Sequence, residues 1–213
     1  MALCECRCES ERMTDSKRDA ILTAAREVFR ESGFTGATLV RIAVAAGLSY
    51  SELVEQFPDK ELLLRAVLAQ RDDDEDARSD FDAITDPQAA LAAVVDLVEY
   101  NAAHRGMVEL FTVLVGESVV PSSPGHDFFR ERYARRVDSF RRTYQRGADA
   151  GVLDPEWTPD AAAVELTALL DGLQIQWLLS DGAIDMAALV RAHLSRQIVS
   201  PTAAADAADA AGE

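Results

Sequence analysis

TLVRIAVAAGLSYSELVEQF, residues 38–57, is the stretch whose reading decides the fold. Thr38 is placed to cap a short helix whose apolar side is Leu39, Ile42, Ala43 and Ala46, and Gly47 ends that helix where a left-handed residue is wanted. Ser49 caps a second short helix that runs to about Phe57. The glycine makes the tight turn, and the small side chain of Ala43 lets the two helices approach closely. This is helix-turn-helix grammar. The second helix is the one that enters a major groove, N-terminal end first, which places Tyr50, Ser51 and Glu52 near base edges.

The helical period continues on both sides. Upstream, Ile21, Ala24, Ala25, Val28 and Phe29 form one apolar face, with Thr14 or Ser16 as a cap and Gly33 as a stop. Downstream, Pro58-Asp59 opens a fourth helix buried through Leu62 to Leu64, Val67 and Leu68. Asp86-Pro87 starts a fifth with the stripe Leu91, Val94, Val95, Val98 and Ala102. Gly106 precedes a sixth, and Pro121 to Gly125 read as a loop before a long seventh helix, which ends near Gly151. Thr158-Pro159 opens an eighth that is apolar on most sides, and Asp185 caps a ninth ending before Pro201. No strand alternation or internal repeat is present, so the fold class is all-α. A three-helix helix-turn-helix domain over 14–60 precedes a bundle over 61–200, between disordered tails at 1–13 and 201–213.

The chain of 213 residues is 48% hydrophobic, enough for a core, and no apolar run reaches the length of a membrane span. The start is acidic and basic rather than apolar, unlike a signal peptide, so a cytoplasmic protein without membrane contact is expected. Cys4, Cys6 and Cys8 are the only cysteines. Their spacing suits neither a disulfide framework nor a tetrahedral metal site, and the segment reads as a disordered tail or an over-extended start. The net charge of −16 is unfavourable for binding DNA, but it is unevenly spread. Residues 14–60 carry six basic and seven acidic groups, whereas 61–213 carry 13 and 27. The acidic run Asp72 to Asp76 reads as a solvated face, since neighbouring helical residues point apart and cannot converge on one ion. The arginines of the seventh helix alternate with Phe129, Tyr133, Val137 and Phe140 as the charged side of an amphipathic helix. Three histidines and no Gly-rich phosphate loop or nucleophile elbow speak against an enzyme, and no cofactor or metal is expected.

Three blocks at fixed spacing carry a resemblance. Arg18-x-x-Ile-Leu-x-Ala-Ala-x-x-x-Phe29-x-x-x-Gly-Phe34 is followed by Thr38-x-x-x-Ile-Ala43-x-x-Ala-Gly47-x-Ser49, then by Phe57-Pro-Asp-Lys60-Glu-x-Leu-Leu64. Together they resemble the N-terminal domain of the tetracycline-repressor (TetR) family. Leu110-Phe111-Thr112 and Asp171-Gly-Leu-Gln-x-Gln-Trp-Leu-Leu179 are more loosely similar to the family's ligand and dimerisation domains. The resemblance implies a repressor that binds a palindromic operator in double-stranded DNA as a homodimer. A small-molecule effector, apolar or aromatic, would release it by selecting a conformer in which the fourth helix has swung.

Under that resemblance Thr38 and Lys60 hold operator phosphates, Arg41 adds a contact, and Ser49, Tyr50, Ser51, Glu52, Val54 and Gln56 belong to the reading helix. The chain also departs from the family. An aromatic is common at the position of Val54, histidine or tyrosine at that of Gln56, and a small residue or Gly-Thr at Ser51-Glu52. Glu52 either accepts from a cytosine amine or weakens binding, and Glu55 faces solvent. These departures keep open a second reading, a TetR-fold dimer with weakened or lost operator binding that serves as a ligand- or protein-binding module. The effector cavity is expected among Asn101, His104, Met107, Phe111, Leu114, Gln174 and Trp177. His104 reads equally as an exposed helix C-terminus, and Asp171, Gln174 and Trp177 equally as part of the dimer seam. Leu166, Leu169, Leu170, Leu173, Leu178, Leu189 and Leu194 are the leucines expected in a two-fold interface.

Overall fold

A computed structural model describes residues 2–76 and 81–198, with side chains described over 16–70 and 81–198. The described residues form nine helices: α1 (Ala2–Gly36), α2 (Leu39–Ala46), α3 (Tyr50–Gln56), α4 (Lys60–Asp76), α5 (Pro87–Ala103), α6 (Arg105–Ser118), α7 (His126–Asp149), α8 (Pro159–Leu179) and α9 (Met186–Gln197). The all-α expectation holds among them, the one extended pairing being an isolated antiparallel bridge between Leu153 and Ile198. The C-terminal tail at 201–213 lies outside the described residues, as do the side chains of Cys4, Cys6, Cys8 and Asp72–Asp76.

α1 extends from Ala2, and neither glycine nor proline interrupts residues 2–32. The chain also divides into two compact units, Met1–Asp74 with Glu109–Phe128, and Glu75–Val108 with Phe129–Glu213. The first unit therefore takes in most of α4 and residues 109–128, beyond the predicted limit at residue 60. Side-chain links explain the addition: Arg30 Nη1 lies 2.8 Å from Glu109, and Lys60 donates to the carbonyls of Phe34 and Ala37 at 2.7 and 2.8 Å.

The first unit buries Ile21, Ala25, Val28 and Phe29 of α1, Ile42 and Ala43 of α2, Leu53 of α3, and Leu63, Leu64, Val67 and Leu68 of α4. Gly33 interrupts α1 with φ 66 and ψ −178. A Cβ there would lie 2.5 Å from Glu117 Oε1, because the Glu117 carboxylate accepts the amides of Phe34 (2.5 Å) and Thr35 (3.3 Å) just past the break. Both the positive-φ backbone and the close carboxylate demand glycine.

The second unit has one apolar core, including Phe81, Val94, Val98, Phe140, Leu166, Leu173, Trp177, Val190 and Leu194. Its helix starts follow the sequence: Asp86, Thr158 and Asp185 each accept an amide of the first turn, and Pro87 and Pro159 open their helices. One polar pair is sunk in this unit: the Tyr144 hydroxyl donates to Gln197 Oε1 at 2.5 Å, and Gln197 is fully buried. On α7, Arg142 pairs with Asp82 while Arg132 is buried, so the arginines are not all on an outer face.

Candidate functional site

The geometry of the first unit is set by the ends of its short helices. The Thr38 hydroxyl accepts the Arg41 amide at 3.2 Å and starts α2. Gly47, at φ 69, stops it, with Leu48 N donating to Ala43 O and Gly47 N to Val44 O. Ser49 then opens α3 through a full capping box: its hydroxyl accepts the Glu52 amide, and the Glu52 carboxylate accepts the Ser49 amide. The helix rests on the fully buried Leu53. Its opposite side leaves Tyr50 52% exposed, with Ser51 and Glu55 also exposed and Val54 and Gln56 half-buried.

Glu52 is not extended away from the protein. Oε1 accepts Lys17 Nζ of α1 at 2.8 Å, while Oε2 accepts the Ser49 amide at 2.9 Å and the Ser49 hydroxyl at 2.8 Å. The Lys17 ammonium foremost, then the Ser49 amide and hydroxyl, pull the carboxyl pKa down to about 2. The same bond raises Lys17 above its ordinary value. The charge that looked adverse to a DNA groove is thus compensated within the protein. The sequence reading did not single out Lys17. Half of the arrangement had a local signature, Ser49-x-x-Glu52, and the other half depends on a tertiary contact across 35 residues.

The cations expected at phosphates already have partners. Arg41 pairs with Glu31 and donates to the Ser32 hydroxyl at 2.6 Å. Lys60 spends two of its three protons on the Phe34 and Ala37 carbonyls and lies 4.3 Å from the centre of the Phe34 ring. Arg18 sits 4.7 Å over the Phe57 ring, on the side where α3 ends. Thr38, Ser49, Tyr50 and Ser51 remain exposed.

The residues expected around an effector are distributed over both units. Asn101 and Gln174 meet in a crevice with Val98, Leu170, Leu173, Met186 and Val190, too narrow to admit a water molecule. Met107 is half-buried and Trp177 is buried in the core of the second unit, with the Arg105 guanidinium 5.3 Å over its ring. Phe111 and Leu114 are buried in the first unit. His104 is exposed, ends α5 with Nδ1 2.8 Å from the Tyr100 carbonyl, and stacks on the Tyr100 ring at 3.9 Å. Asp171 is partly buried, which raises its pKa against the opposing hydrogen bond from Tyr133 and the nearby Arg136 and Arg132. A wider groove of about 340 Å³ lies between α5 and α9, floored by Leu91, Val95, Leu194 and Ile198.

The leucines expected at an interface differ in exposure within the single chain. Leu166, Leu173 and Leu194 belong to the core of their own unit, and Leu169, Leu170 and Leu178 are half-buried against it. Of the predicted set, Leu189 is exposed. The outer stripe of α8 is instead Val164, Ile175 and Leu179, the last 82% exposed. Because α8 is apolar on nearly every side, its composition could not tell its inner leucines from its outer ones.

Residues 21–67 match the family described as bacterial regulatory proteins, tetR family, and residues 87–199 match the BetI-type transcriptional repressor C-terminal domain. Over 175 residues the chain is 26% identical to the HTH-type transcriptional repressor BepR of Brucella suis biovar 1 (strain 1330), spanning 79% of this chain and 84% of that one. A 59-residue stretch is 46% identical to the HTH-type transcriptional regulator RutR of Escherichia coli (strain K12), covering 28% of each chain. Among solved structures, SmeT in its triclosan complex superimposes with a TM-score of 0.76 at 18% identity, over 87% of this chain and 93% of that one.

Proposed function

Because this chain belongs to the tetR family of bacterial regulatory proteins, whose transcriptional-regulator members it matches in both of its parts, we propose that it is a repressor. It binds a palindromic operator in double-stranded DNA as a homodimer and leaves when a small apolar or aromatic effector binds. The observation that carries this reading is α3: a short helix, capped at Ser49, seated on Leu53, with Tyr50 and Ser51 exposed at its N-terminal end. That is the end a recognition helix directs at base edges. Operator phosphates would draw on the Thr38 and α2 N-terminus, on Arg18, and on Arg41 and Lys60 once these exchange an internal partner for a phosphate.

The stripe of Val164, Ile175 and Leu179, joined by Leu189, supports the dimer, since a monomer would leave these side chains in water. For the effector, a solved structure of the same fold, SmeT, is a complex with triclosan, an aromatic molecule. In this chain the Asn101–Gln174 crevice is apolar with two amides at its edge, and an effector there would have to select a conformer in which it has opened.

Duplexes selected from a random pool by the full-length protein, then footprinted, test the reading. Two protected half-sites one helical turn apart are expected, with triclosan as the first probe for release. The rival reading, a dimer without operator binding, is favoured by the internal engagement of Arg41 and Lys60. Failure to enrich any duplex, with dimer intact, would establish it.

A further inference from the structure

We propose that Glu52 and Lys17 are positioning residues for operator reading: their ion pair fixes the N-terminal end of α3 against α1 and withdraws Glu52 from base contact. The inference rests on α3 being the reading helix. With seven residues, α3 is too short to hold its own conformation, so its placement depends on what grips it. Leu53 grips it from below and Phe57 at its C-terminal end, both buried. At the end that would face bases, the grip is Glu52. One carboxylate oxygen is bound by Lys17 at 2.8 Å, and the other by the Ser49 amide and hydroxyl.

The same bonds decide which side chains are free to read. Closing the capping box curls Glu52 back towards Ser49. An acceptor for a cytosine amine would have to abandon Lys17 or the box, in a groove whose phosphates also repel the carboxylate. The Ser49 hydroxyl both accepts from the Glu52 amide and donates to its carboxylate, so it too is committed. Base reading at this end falls to Tyr50 and Ser51, carried by a helix whose first turn is pinned from α1.

Both partners are more than a third exposed, so the pair contributes little to global stability. Its effect is on placement, which separates it from an ordinary structural contact. In the selected duplex against a scrambled one, Glu52→Gln and Lys17→Met should each lower operator affinity about tenfold, the scale of one lost base contact, while scrambled binding falls by much less. The double variant should be no worse than either single one, Lys17→Arg should retain binding, and the salt slope should stay that of the wild type. If Lys17 instead holds a phosphate, Lys17→Met weakens both duplexes equally, flattens the salt slope by about one and adds fully to Glu52→Gln. That result overturns the proposal, as does a Glu52→Gln protein with unchanged operator preference. Hydrogen exchange in the free protein provides an arm that needs no DNA. Peptides covering 49–56 should exchange faster in both single variants, with melting temperatures unchanged. Unchanged exchange overturns the pinning even if the wild type binds no duplex, and that absence of binding would by itself count only against the repressor reading.

Discussion

The two units of this protein are stabilised in different ways. In the first, the decisive contacts are single polar groups at helix ends: the Ser49–Glu52 box, Lys60 on two carbonyls, and Glu117 on two amides past the Gly33 break. In the second, α5, α8 and α9, helices with little amphipathic contrast, share one apolar core with α7, and a buried Tyr144–Gln197 bond is among its polar contacts. Polar clips define angle and register at the cost of tolerating few substitutions. Apolar bulk supplies stability but leaves the facing of each helix loosely specified. On the proposed reading, a DNA-reading head needs the former and a ligand-binding chamber can work with the latter.

The largest expected effect tests the second unit. Leu166→Ala removes a side chain with no exposure and should cost about 3 kcal/mol in urea unfolding, whereas Leu179→Ser, on the outer stripe, should leave unfolding of the protomer nearly unchanged. Sedimentation should show the reverse: Leu179→Ser impairs dimer formation. If both leucines behave alike, the inner and outer assignment of α8 is wrong.

Gly33→Ala comes next, and tests the polar clips. A positive-φ residue with a Cβ against the Glu117 carboxylate should cost about 2 kcal/mol, and Gly33→Asn no less, because ψ −178 lies outside the left-handed well that asparagine tolerates. Tyr144→Phe should cost about 1.5 kcal/mol by leaving Gln197 Oε1 buried without its donor, and Tyr144→Phe with Gln197→Leu should recover part of that.

The smallest effects are those of pH, and they have opposite signs in the two units. The folded-state pKa of Glu52 is held at about 2, below its ordinary 4.5, so its contribution is fully present above about 4.5 and is lost as pH falls towards 2. Asp171 is raised by burial, so its ionised form opposes folding at neutral pH, and the penalty is relieved as pH falls through the raised value. Asp171→Asn should therefore stabilise the protein slightly at pH 7 and remove that relief on acidification. Glu52→Gln should flatten the acid limb in the other direction. Equal slopes for both variants and the wild type in urea titrations between pH 3 and 7 would contradict this.

The same contrast explains what the amino-acid order reveals. Where structure depends on a cap, a proline or a left-handed glycine, the residues announce it: Thr38, Gly47, Ser49, Asp86, Thr158 and Asp185 all act as their chemistry predicts. Contacts across long separations are silent, so Lys17 as partner of Glu52 and Glu117 as partner of the Phe34 amide become visible only in the fold. On α8, periodicity says little because most sides are apolar, so composition does not separate Leu166 and Leu173 from the outward Val164, Ile175 and Leu179.

The outer stripe of α8 has a genetic consequence. On the proposed reading, Val164, Ile175 and Leu179 make every chain seek a second one without inspecting its α3. An allele damaged solely at Tyr50 or Ser51 would still enter dimers with the intact product. In a cell making equal amounts of both, about three in four dimers would contain a defective head if pairing is random. Such alleles would be dominant, while alleles that destroy the stripe itself would drop out of the pool and be recessive.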